Sequence, residues 1–184
     1  MKNKKLLISA INLILIVAGA ALSVILLVTA KAVLWQKLSA FCGLVTAVFA
    51  FYYMFIGGLK NAAVYFKTYG ALLSLDFAIG TVTAGVVTDN AATLFFGVFA
   101  LTVALYLFSS KDLGKKRSYI ISGVLLAVSV FMTLSPLLEM NMSDNLFRQE
   151  ILRTSSLLVF SVLYCGMTVV KYADKEQRKS KKQD

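Results

Sequence analysis

The chain has 184 residues, 59% of them apolar and 15% charged, with a mean hydropathy of +0.78. A soluble globule is roughly half apolar and a quarter charged, so the composition excludes an ordinary soluble domain and makes the bilayer the solvent. The net charge of +10 does not point to nucleic acid, because the 19 Lys and Arg sit in short clusters between long apolar runs, where they mark membrane topology.

A bilayer core about 30 Å thick needs roughly 20 apolar residues per helix. In chain order, the first such run is Leu6 to Ala30, behind the basic Lys2-Asn3-Lys4-Lys5. It is about twice the length of a signal-peptide apolar region, so it is expected to be a span and not a cleaved leader. The next runs are Leu38 to Leu59, Thr68 to Thr88 with Asp76 inside it, Ala91 to Phe108, and Tyr119 to Leu138. The last, Thr154 to Tyr172, is short and contains Ser, Thr and Cys, which membrane helices tolerate. Between the fifth and sixth runs, Ser135-Pro136 is expected to kink or end a helix, since proline lacks the backbone donor and crowds the preceding turn. Ser143-Asp144 reads as a helix start, with Asp144 and Arg148, and Phe147 and Ile151, at i, i+4 spacing, so an interfacial helix running into the sixth span is expected, with an unstructured polar loop as the alternative. The expected fold is all-α: one six-helix transmembrane domain over residues 1–173, followed by a basic, disordered cytoplasmic tail over 174–184.

Orientation follows from the basic residues. With the N-terminus inside, all but four of the 19 Lys and Arg fall on the cytoplasmic side; Lys31, Lys37, Arg148 and Arg153 remain outside. Both termini are therefore expected in the cytoplasm. Tyr65, Tyr69, Tyr106, Tyr119 and Tyr172 near inner ends and Trp35 near an outer one agree with headgroup-level aromatics. The expected location is the cytoplasmic membrane of a bacterial-type cell, as a multi-pass protein whose solvent partner is the lipid bilayer, with no nucleic acid bound.

Small residues recur four apart: Gly19 with Ser23, Gly43 with Ala47, Gly80 with Ala84, Ala100 with Ala104, and Gly123 with Ala127. Such pairs let helix backbones approach, so they are expected to pack the bundle, with a membrane-protein partner or homo-oligomer as the sharper alternative. The stretches Gly43 to Phe51 and Gly123 to Phe131 share Gly-x-x-x-Ala-Val-x-x-Phe, an echo that a three-plus-three inverted repeat would produce. Cys42 and Cys165 lie at different depths and are expected to be free thiols.

Much chemistry is excluded. The chain has no His, which removes Ser-His and Cys-His nucleophiles and His-ligated metal or haem. Two Cys without His build no usual zinc site, and there is no paired carboxylate or glycine-rich phosphate loop. No cofactor, metal or catalytic residue is expected, and the residues argue against a membrane enzyme. Lys67, at the inner end of a span, reads as a snorkelling anchor.

What remains is Asp76, about two residues from the centre of its run, where a charged carboxylate is costly and marks a bundle interior or a wet path. Tyr69, Gly80 and Thr83 stand at i−7, i+4 and i+7 and give it a narrow polar or small stripe. No basic residue is evident at comparable depth in another span. The candidate intramembrane polar site is Asp76, Thr83 and Asn12, with Thr81 and Thr102 joining if the first, third and fourth helices adjoin. Asp76 then acts either as a protonated donor binding a neighbouring helix or as a cation or proton site. The functional expectation is a non-enzymatic small-solute or ion transport component; the alternative is a structural or interaction subunit of a membrane complex.

Overall fold

In a computed structural model, residues 2–29, 33–56, 62–87, 89, 91–110, 114–138 and 144–180 are described. They are all-helical: α1 (Lys2–Val28), α2 (Leu34–Phe51, prolonged by a π-helical stretch, Tyr52–Ile56), α3 (Ala62–Val87), α4 (Ala91–Ser109), α5 (Lys115–Leu138) and α6 (Asp144–Ser180). Among the described residues, five helices, α1, α2, α4, α5 and α6, contain stretches long and apolar enough to cross a membrane.

The helix starting at Asp144 runs into the sixth apolar run and through it as one element, as its spacing predicts. Its 37 residues measure about 55 Å at 1.5 Å per residue, well beyond the bilayer core. The backbone remains helical to Ser180, past the expected end at Tyr172 and through most of the tail expected to be disordered; Ala173, Lys175, Glu176, Gln177, Arg178 and Lys179 all favour helix. Residues 181–184, and the connection 139–143, lie outside the described residues.

α6 is the centre of the assembly. In its most apolar stretch 56% of residues are buried, against 22% in α1, α4 and α5. It packs against α1, α2, α3 and α5; α2 also packs on α1 and α3, and α4 leans on α3. The core gathers Ile16, Ala47, Tyr69, Leu73, Phe77, Leu157, Phe160, Leu163 and Tyr164. Hydrocarbon outside the bundle is as apolar as these side chains, so close packing and hydroxyl bonds hold the helices together. Ser23 bonds Ser156 at 2.9 Å, Ser129 bonds Ser161 at 2.6 Å, Ser118 bonds the Tyr172 hydroxyl at 2.8 Å, and the Tyr69 hydroxyl donates to the Phe160 carbonyl at 2.9 Å. Each is worth about 0.6 kcal/mol on average in a membrane bundle.

The small-residue pairs are used where helices cross. The Phe160 ring lies on Gly19 and Ser23 lies on Gly43, while Gly97 lets α4 reach the backbone of Val82. Ala47, Ala100 and Ala104 are buried. Gly123 is different: it faces outward with nothing within 4 Å of an added Cβ. The small residues shared by the stretches of α2 and α5 therefore occupy unlike surroundings: Gly43 and Ala47 are buried, whereas Gly123 and Ala127 are exposed. Lys67 does more than anchor. Its ammonium donates to the Ser110 carbonyl at 2.6 Å and reaches that of Phe108 at 3.5 Å, satisfying carbonyls left open where α4 ends. Cys42 is buried and Cys165 partly so, and both are free thiols.

Candidate functional site

Asp76 sits near the middle of α3 with 3% of its surface exposed. The stripe expected around it is real for the residues that are described. Tyr69 is fully buried against α6, Asp76 receives a hydrogen bond from Ser39 of α2 at 2.5 Å, and Gly80 lies under the guanidinium of Arg153 from α6. A Cβ on Gly80 would collide with Arg153 Nη1, so the glycine is what admits the arginine.

The position of Arg153 corrects one sequence expectation, that no basic residue in another span shares the depth of Asp76. Because α6 begins nine residues earlier, at Asp144, Arg153 is already inside the bundle and only 2% exposed. Its Nε and Nη2 both donate to Oε1 of Glu150, at 3.0 and 2.5 Å, and its Nη1 lies over Gly80, one turn along α3 from Asp76. A buried guanidinium is tolerated when it is paired and hydrogen-bonded in this way. Gln36 extends the network: its amide nitrogen donates to Glu150 Oε2 at 3.4 Å, while its oxygen accepts the Val33 N–H at 3.1 Å and so ties the start of α2 to α6.

Five side chains from three helices thus meet in one polar cluster: Gln36 and Ser39 on α2, Asp76 on α3, and Glu150 and Arg153 on α6. Leu26, Ala40 and Leu152 form an apolar cluster beside it. Among the described residues, Arg153 Nη1 and Gln149 Oε1 are buried without a hydrogen-bond partner, one a donor and the other an acceptor. With both carboxylates and the guanidinium ionised, the cluster carries a single net negative charge, which favours a cation or a proton over an anion.

The other sequence-selected residues are elsewhere. α1 packs on α2 and α6, not on α3 and α4, which leaves Asn12 half-buried about 16 Å along α1 from Ser23 and in the other half of the bundle. The backbone of Thr83 belongs to α3, and its side chain lies outside the described residues. Thr81 is buried and bonds back to the Phe77 carbonyl, and Thr102 is exposed and bonds that of Val98, so both hydroxyls are spent within their own helices. The condition on which Thr81 and Thr102 would join the site, that the first helix adjoins the third and fourth, is not met.

Among the described residues no group of three or more potential metal-binding side chains occurs. No protein-family model, curated protein or solved structure matches the chain.

Proposed function

We propose that the chain is a non-enzymatic transport component of a cytoplasmic membrane, with six spans, both termini inside, and the Asp76–Arg153–Glu150 cluster handling a small cation or proton. The observation that carries this reading is the burial of Asp76 and Arg153, from two helices, with the partly buried Glu150 paired to the arginine. Such groups are expensive at membrane depth and usually line ion or substrate paths. The excess of one carboxylate supports a cationic solute, and Ser39 is placed to hold Asp76 in position.

The test uses purified protein in liposomes loaded with a pH-sensitive dye, with a potassium diffusion potential to drive proton entry. Entry faster than into protein-free liposomes is expected, and Asp76→Asn, which keeps shape and hydrogen bonding, should reduce the excess at least about tenfold, the effect of roughly 1.4 kcal/mol on a barrier. Sodium entry is followed in parallel. Wild-type liposomes as tight as empty ones to both ions, or an Asp76→Asn protein with full flux, would remove the reading.

The alternative, an interaction subunit, is favoured by the outward-facing Gly123 on α5, which leaves a small-residue site open to another membrane helix. The topology is tested independently. Single cysteines at Asn90 and Ser143 should react with an impermeant thiol reagent from outside intact cells, and those at Ser109 and Lys179 should not. External labelling at Lys179 would refute six spans with the C-terminus inside.

A further inference from the structure

α4 and α5 are consecutive in the chain, yet they do not close on each other. A groove of about 120 Å³ separates them, lined by Phe99, Ala100 and Val103 of α4 and by Ile120, Val124 and Val128 of α5, with Phe77 of α3 as its floor. Its lining is wholly apolar. Phe99, Ile120 and Val124 are each more than two-fifths exposed, so the groove opens on the face that the bilayer would cover.

One end of the groove has a different character. Arg117 stands at i−3, i−4 and i−7 from Ile120, Ile121 and Val124, on the same face of α5, and its Nη1 donates to the Tyr106 hydroxyl of α4 at 2.9 Å. This bond bridges the two helices across the groove's mouth. Lys115 and Lys116 open the same helix, and Lys67 sits at the neighbouring end of α4. The groove therefore joins a hydrocarbon-lined channel to a basic rim. An apolar cavity of this kind takes apolar guests and excludes water. Basic side chains at the headgroup level attract anionic lipid.

We propose that the α4–α5 groove is a binding site for one anionic phospholipid, with an acyl chain between Phe99, Val103, Ile120 and Val124 over Phe77 and the phosphate on Arg117. The groove shares no lining residue with the Asp76 cluster, since its α3 floor, Phe77, points about 100° around the helix from Asp76, and the site does not depend on the transport reading. The lipid completes the wall that α4 and α5 leave open, and the Tyr106 hydroxyl orients the guanidinium that receives its phosphate.

The test is native mass spectrometry of the protein released from mild detergent after equilibration with equal amounts of phosphatidylglycerol and phosphatidylcholine. One phosphatidylglycerol is expected to stay bound in preference to phosphatidylcholine. Val124→Trp should fill the groove and abolish that adduct. Arg117→Gln, at an exposed position, should lower the preference about fivefold, the usual effect of one basic residue beside an anionic surface. Tyr106→Phe removes the bridging bond but keeps the charge, and should retain the preference. Equal retention of the two lipids by the wild-type protein, an unchanged adduct in both Val124→Trp and Arg117→Gln, or conversion of a dimer to monomer by Val124→Trp would overturn the proposal, the last by assigning the groove to a second copy.

Discussion

Arg153→Ala is expected to destabilise the protein by about 3–5 kcal/mol, the usual cost of removing one partner from a buried ion pair. The loss comes less from the missing bonds than from what they leave behind. Glu150 would keep its charge in a position from which Arg153 alone supplies two hydrogen bonds, with only the long contact from Gln36 remaining. The space above Gly80 would also open. Glu150→Gln combined with Arg153→Met removes both charges and keeps volume, so the double variant should be more stable than Arg153→Ala, a non-additivity expected of residues in one network. Denaturant unfolding of the protein in mild detergent measures both. An Arg153→Ala protein within about 0.5 kcal/mol of wild type, the range of ordinary surface changes, would mean that Arg153 is not enclosed.

The same residue shows why part of the site was legible in the sequence and part was not. Asp76 could be found because an acid in the middle of an apolar run has no cheap alternative to burial. Its face could be found because Tyr69 and Gly80 fall at helical spacing from it, and both prove to meet α6. Arg153 was hidden by the very rule that orders the spans, which treats a basic residue at the edge of an apolar run as a loop marker. The signal that could have revealed it is the i, i+3 pair Glu150 and Arg153 on a helix already expected to begin at Asp144. A helix continuing through both would carry the pair inward together, already neutralised. Asn12 failed for another reason. Hydropathy ranks how deep a residue lies along its own helix, but not which helices are neighbours, and α1 is kept from α3 by α2 and α6. Small-residue spacing has the same limit, since Gly43 and Gly123 lie in matching patterns and only one is covered.

Gly97→Leu should cause the other large loss, through the α3–α4 interface. A Cβ at Gly97 would lie 2.6 Å from Val82 Cγ2, 2.7 Å from the Val82 backbone nitrogen and 2.8 Å from Thr81 Oγ1. The valine methyl could rotate away, but the backbone nitrogen could move only with α3, and the Thr81 hydroxyl is already bonded to the Phe77 carbonyl. The strain is reinforced about one turn closer to the α3–α4 connection, where a Cβ on Gly85 would lie 2.6 Å from the backbone nitrogen of Leu94. Both glycines thus put the backbones of α3 and α4 in near contact, and α4 has no other broad helix interface to hold it. Overpacking a tight contact typically costs 1–3 kcal/mol, and leucine at position 97 should fall at or beyond the upper end of that range. Gly166→Ala is the control, because that glycine is on α6 with open space around it and the change should be neutral or slightly stabilising. Denaturant unfolding in detergent compares the two, and a Gly97→Leu protein as stable as Gly166→Ala would show that α3 and α4 do not approach this closely.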